Sequence, residues 1–140
     1  ELFVGEAGGG ATLNGKPIHV SRTPKLDGAL LVTGFAYDIR VSKQNNLDHF
    51  ANFALRAQGM RRMGAAAIDL CYVACGRFDG FWELKLNPWD MAAGSLMVAE
   101  AGGRMSDFKG EPFSIYGIEL VASNGPIHHE MLEVLNRPLV

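Results

Sequence analysis

The stretch ALLVTGFA, residues 29–36, is apolar almost throughout and no longer than a strand. A half-buried strand alternates apolar and polar residues. A run without alternation needs cover on both faces, which places it inside a sheet flanked by helices. GIELVASN, residues 117–124, reads as another apolar strand. Helical patterns separate and follow the strands. Leu47, Phe50, Ala51, Ala54, Leu55 and Gln58 recur at helical spacing and predict a helix over 45–60, capped by Asn45 or Asn46. RRMGAAAIDLCYVACG predicts a second helix from about Ala65, closed by Gly76 at the position after its C-cap. RFDGFWELKL follows as a turn at Asp79-Gly80 and a short aromatic strand, and NPWDMAAGSLMVAEAGG, residues 87–103, as a third helix. GGRMSDFKGEP reads as a short strand and turn, and PIHHEMLEVLNRPLV as a terminal helix with Asn124 as cap and Pro126 in its first turn. Strands alternating with helices make the body of the chain α/β.

The first twenty residues differ. ELFVGEA and ATLNGKPIHV are short strands around turns, and Asn14-Gly15 is a hairpin signal because a type I′ turn needs positive φ at both central residues. They predict a β-hairpin from a different sheet over 1–22, followed by an α/β domain over 23–140. Glu1-Leu2-Phe3 reads as the middle of a β meander, so the expectation is that residues upstream of Glu1 are missing. EAGG occurs at 6–9 and at 100–103, once between strands and once at a helix end where Gly102 takes the left-handed cap. The flanks share nothing, so these are two turns and no internal repeat.

Charges of both signs are scattered along the 140 residues and sum to −2, which gives no basic face for nucleic acid. No apolar run reaches the roughly 18 residues needed to cross a bilayer. Cys71 and Cys75 lie four apart on the predicted second helix without other thiols or imidazoles to complete a metal site, which predicts two buried free thiols in a reducing, cytoplasmic setting.

Two helix starts carry the candidate chemistry. Asn87 suits an N-cap and Pro88 the first helical position, so Asp90 falls in the first turn. There it is a helix-start acid facing the positive end of the dipole, worth about 0.3–1 kcal/mol, or it is a ligand. Ala93, Gly94, Met97 and Ala101 below it offer no polar partner, so a buried carboxylate would need a cation or donors from elsewhere. At the second helix, Gly64 stands where Ser or Asp would cap, which leaves the first amides of the Gly64-Ala65-Ala66-Ala67 turn bare: they bind water or an anion, phosphate above all. Glu83, at the end of the FWE strand, is an exposed strand-end acid or faces the same cleft. A carboxylate facing a bound phosphate suits Mg²⁺, which takes one or two carboxylates, phosphate oxygens and water.

WDMAAGSLMVAEAGG resembles the C-terminal motif of the inositol monophosphatase family, and RMGAAAIDLCYVACGRFDGFWE is similar to the block that precedes it. TLNGKPIHVS and LLVTGFAYD resemble the family's middle region, closer to its bacterial members. The resemblance implies the C-terminal αβα-type half of a layered sugar-phosphatase fold, a mixed sheet flanked by helices, and a Mg²⁺-dependent, Li⁺-sensitive phosphomonoesterase. It implies that Asp90 is a catalytic metal ligand, that backbone at Gly64, Ala65 and Ala66 lines the substrate site, and that Glu83 binds inositol hydroxyls. Position 65, often Thr in relatives, is Ala here, and Arg61 matches an Arg that supports the site from behind. A homodimer is implied, with the helix over 45–60 as one contributor. The family's other ligands, in a Glu-containing segment and a D-P-[IL]-D-G-[ST] block, have no counterpart here, so the 140 residues alone are expected to be inactive. Inositol 1-phosphate is the first substrate expected. Fructose bisphosphate and a 3′-phosphonucleotide are alternatives within the fold, and a non-catalytic, dimerising module is the alternative outside it.

Overall fold

The computed structural model describes residues 1–138. Residues 139–140, the end of the predicted terminal helix, lie outside the described residues. Three short strands come first: β1 (Phe3–Glu6), β2 (Gly10–Leu13) and β3 (Lys16–Pro17), an antiparallel sheet in that order. Asn14 and Gly15 take φ of 51° and 77° between β2 and β3, as a type I′ turn requires. A five-stranded mixed sheet follows, built from β4 (Leu30–Thr33), β5 (Gly59–Arg61), β6 (Gly80–Leu84), β7 (Arg104–Ser106) and β8 (Glu119–Ser123). Its order is β5-β4-β6-β8-β7. β5, β4 and β6 run parallel, and β8 is antiparallel to both of its neighbours. The helices are α1 (Leu47–Ala54), α2 (Ala66–Ala74), α3 (Pro88–Glu100) and α4 (His128–Leu135).

The pleat sends successive residues to opposite faces. Val32, Phe81, Leu120 and Ala122 meet Leu70 and Val73 of α2 and Met91 and Val98 of α3 in one buried cluster. Leu31, Trp82 and Val121 meet Phe53 of α1 and Met131 and Val134 of α4 in the other. The sheet is therefore covered on both faces, as the unbroken apolar run at 29–36 requires. The three-stranded sheet packs on the far side of α3, where Ala11, Phe3 and Val20 join the first cluster. Glu100, at the end of α3, accepts the Gly8 amide (2.8 Å) and the Gly10 amide (2.9 Å). The two EAGG segments thus touch, one supplying the carboxylate and the other the turn.

Several local expectations are corrected. The helix predicted over 45–60 stops at Ala54, and residues 59–61 form the edge strand β5. The apolar residues after Ala54 pair or pack as strand and turn, where β4 offers a free edge. Of the two cap candidates Asn45 serves, its Oδ1 accepting the Leu47 amide at 3.1 Å, while Asn46, the N-cap residue with φ of 69°, spends its side chain on Thr33, Gly34 and Trp82. Pro126 lies ahead of α4, which begins at His128, though Asn124 Oδ1 does accept the Ile127 amide at 3.3 Å. The two cysteines are free and half-buried. Leu70, Val73 and Ala74 of their helix fill the core, and Cys71 packs against its edge.

Two sites test this packing. Gly94 is buried in α3 where α2 crosses it, and a β-carbon there would lie 2.6 Å from Leu70 Cβ. Gly94→Ala gains up to about 1 kcal/mol of helix propensity but forces a methyl into that contact, which costs about 1–3 kcal/mol. The expected outcome is a lower melting temperature, read by calorimetry. His128 is fully buried between Ser106 Oγ (2.9 Å) and Ser123 Oγ (2.8 Å). Burial, helped by the Arg104 charge, pushes its pKa from 6.5 down to about 4. The unfolded state then binds the proton more readily, so the contribution is whole above pH 6.5 and is lost as pH falls through about 4. That loss is on the order of 3 kcal/mol, and urea titrations should show it in the wild type and not in His128→Gln.

Candidate active site

The carboxyl ends of β4 and β6 point the same way, and outside them lies an open cleft of about 210 Å³. Gly34 to Tyr37, just beyond β4, form one wall. Arg62, Gly64, Ala65 and Ala66 lead into α2 on another, Glu83 comes from β6, and Asn87 and Asp90 come from the start of α3. Every residue singled out as a candidate, Asp90, Gly64, Ala65, Ala66 and Glu83, lines this one cleft. Arg61 does not. It is exposed on β5 and donates to the Met60 carbonyl (2.9 Å), while its neighbour Arg62 faces the cleft.

At α2, Ala65 is the N-cap residue in extended conformation and makes no side-chain capping bond. Its carbonyl accepts the Ile68 and Asp69 amides, both at 3.0 Å. The amides of Ala66 and Ala67, one turn earlier, have no carbonyl within the helix to reach. Gly64 has φ of +90°, a conformation side chains rarely adopt, and a β-carbon there would also lie 2.8 Å from Arg62 Nη1. At α3, Asp90 is half-buried in the first turn, and its Oδ2 accepts the Asn87 amide at 2.9 Å. The helix-capping role is therefore real, and the same side chain still reaches the cleft.

Glu83 is 8% exposed, so it is not an exposed strand-end acid. It falls on the same face of β6 as Phe81, two residues back, which aims it toward the starts of α2 and α3. Opposite it stands Gly34, where a β-carbon would lie 2.3 Å from the carboxylate oxygens. Only glycine leaves room for the acid. Burial raises the Glu83 pKa to about 7, with Asp69 and Asp90 adding to the rise and Arg62 opposing it. Asp69, one turn into α2, is 1% exposed, and neither of its carboxylate oxygens has a hydrogen-bond partner. Burial raises it to about 7 as well, against the pull of Arg62.

Gly34, Arg62 and Asp69 went unread in the sequence. A glycine closing an apolar strand is a signal of close backbone approach. An acid inside AAAIDLCYV is a signal of a buried charge, since the residues around it are apolar.

A divalent cation fits this chemistry in part. Asp90 offers a carboxylate beside bare helix amides, the setting in which a cation can bridge to a bound phosphate. Among the described residues, no three His, Cys, Asp or Glu side chains converge into a metal cage. Also among the described residues, no helix is long and apolar enough to cross a membrane.

Asp69 generates a test of its own. With a folded pKa near 7 against 3.8 in the unfolded chain, the folded state holds the proton longer. Stability is therefore full below pH 3.8 and is lost as pH rises through about 7. Asp69→Asn should raise the melting temperature at pH 8 and change it little at pH 4, as scanning calorimetry at the two pH values would read.

Residues 1–138 match the model of the inositol monophosphatase family. The chain is 50% identical over 135 residues to an inositol-1-monophosphatase of a Synechocystis species, covering 96% of this chain and 47% of the relative. It is 46% identical over 131 residues to the chloroplastic phosphatase IMPL1 of Arabidopsis thaliana, covering 94% of this chain and 35% of the relative. The structure superposes on that of an inositol monophosphatase from Anabaena with a TM-score of 0.97 at 46% identity, covering all of this chain and 56% of the other. The chain thus spans about half the length of these relatives, or less.

Proposed function

The chain belongs to the inositol monophosphatase family, and from that premise we propose that it supplies the substrate wall and one metal ligand of a Mg²⁺-dependent phosphomonoesterase. The observation that carries this reading is the convergence of Asp90, Glu83 and the side-chain-uncapped start of α2 at Gly64, Ala65 and Ala66 on one cleft. The amides, at the positive end of α2, bind the phosphate. Asp90 is the side chain of this chain that would hold a Mg²⁺ ion. The ion supplies Lewis acidity toward phosphate oxygens when bound. Glu83, with its pKa near 7, exchanges hydrogen bonds with neighbouring substrate hydroxyls in either protonation state.

The substrate we assign is a small phosphorylated polyol, inositol 1-phosphate first. A second phosphate near Glu83, as in fructose bisphosphate, would meet two further acids, Asp69 and Asp90, whose charges already raise Glu83's pKa. A 3′-phosphonucleotide would gain nothing from a hydroxyl-binding carboxylate beyond its ribose. Because Asp90 alone makes an incomplete cage, activity is assigned to a protein that brings further ligands to this cleft, not to the 140 residues alone. We also assign a homodimer, supported by Leu47 and Leu55 exposed on and beside α1, and a reducing, cytoplasmic setting, supported by the two free thiols.

Phosphate release by the full-length protein, measured with and without Mg²⁺, tests the reading. Inositol 1-phosphate should give a higher kcat/KM than fructose bisphosphate or a 3′-phosphonucleotide. Asp90→Asn should lower kcat/KM by about 100-fold or more, since even residues that only orient metal ligands cost 10- to 100-fold. No release from any of the three, with Asp90→Asn unchanged from wild type, would mean a non-catalytic module on this fold.

A further inference from the structure

Residues 34–46 connect β4 to α1 and separate two spaces. Their first part, Gly34 to Tyr37, lines the candidate active site, and their last part, Lys43 to Asn46, lines a second cavity of about 180 Å³. With space on both sides, packing alone does not hold such a segment. Its ends are tied: Phe35 rests on Phe50 with ring centroids 5.7 Å apart, and Asn46 is buried with its amide group bonded to Thr33, Gly34 and Trp82. Its middle is not, since Tyr37, Asp38, Arg40, Val41 and Lys43 are exposed.

One side chain from outside the segment reaches that middle. Lys85 Nζ donates to Asp38 Oδ2 at 2.6 Å and to Ser42 Oγ at 2.8 Å. Lys85 also lines both spaces. It stands two residues after Glu83 with φ of +61°, a left-handed conformation that costs a lysine energy a glycine would not incur. Its backbone amide donates to the Ile118 carbonyl at 2.7 Å, which holds that conformation in place. A strained, non-glycine residue beside a candidate site is reason to look for a role. Here the strain points the ammonium group across the cleft's edge to the opposite wall.

We propose that Lys85 is a positioning residue: its ammonium clasps residues 34–46 through Asp38 and Ser42 and so sets the wall, Phe35 to Tyr37, against which the organic part of the substrate lies. The clasp itself stands on geometry alone, while its effect on substrate rests on the phosphatase reading above. Phe50 anchors the wall at Phe35, and beyond that anchor the segment is held from outside by one ion pair of which both members are partly exposed.

The test uses the full-length protein with Lys85→Gly, Lys85→Arg and Asp38→Asn. Lys85→Gly removes the ammonium but suits the backbone, so the melting temperature should not fall. Trypsin cleavage after Arg40 and Lys43, followed by mass spectrometry, should nevertheless speed up by about two- to fivefold, the scale of a partly exposed ion pair. KM for inositol 1-phosphate should rise by a similar factor with kcat unchanged. Asp38→Asn should behave like Lys85→Gly, and Lys85→Arg should restore wild-type values. Wild-type cleavage rates in Lys85→Gly would overturn the clasp. Faster cleavage with unchanged KM would overturn its role as a substrate wall. If the wild type releases no phosphate, the functional reading and the wall fall together, and cleavage rates still decide the clasp.

Discussion

Strand β6 is the member on which the rest of the structure depends. It is hydrogen-bonded to β4 on one edge and β8 on the other, and its side chains reach three environments in succession. Phe81 enters the core under α2 and α3, Trp82 enters the core over α1 and α4, and Glu83 enters the cleft. A strand buried on both faces has no solvent-facing register to slip into, so its position is set by packing on either side. The acid's place follows from that packing, because moving Glu83 would require moving two fully buried aromatic rings.

Buried polar groups then tie the loops to this frame. Asn46 accepts from Trp82 Nε1 at 2.7 Å and donates to Thr33 Oγ1 at 2.9 Å, joining α1's start to β4 and β6. Asp79, just before β6, accepts from the Leu30 amide at 2.7 Å and from Ser21 Oγ at 2.5 Å. Asn124 donates to Ser21 Oγ and to the Thr23 carbonyl. Each would be costly to leave unpaired in the interior, so each fixes a connection that hydrophobic contact alone would leave loose. Asp69 is the contrast. Its oxygens have no partner among the described residues, and the energy it costs is stored at the candidate site, next to Glu83 and Arg62.

The apolar runs and helical repeats in the sequence made the α/β body legible, because burial on one or two faces leaves a period that can be read directly. The NPWD helix start and the bare Gly64-Ala65-Ala66 turn were legible for a similar reason: capping is local chemistry within a few residues. The edge strand β5 was not. Its three residues carry no alternation, and they become a strand only because β4 presents an unpaired edge beside them. Arg62, Gly34 and Lys85 were also missed, since each matters through a residue distant in sequence: Arg62 through Asp69 and Glu83, Gly34 through Glu83, Lys85 through Asp38 and Ser42.

By itself, the sequence determined the kinds of elements, the carboxylates available, and two helix starts, one with bare amides and one with an acid in its first turn, because periodicity and capping act over one or two turns of chain. Only the tertiary structure decided that these groups share one cleft, that Glu83 and Asp69 hold their protons to near neutral pH, and that a lysine spans the cleft's edge. Desolvation and through-space charge depend on which distant residues are brought together and on how much water is driven out between them. Neither quantity is written in any local stretch of the chain.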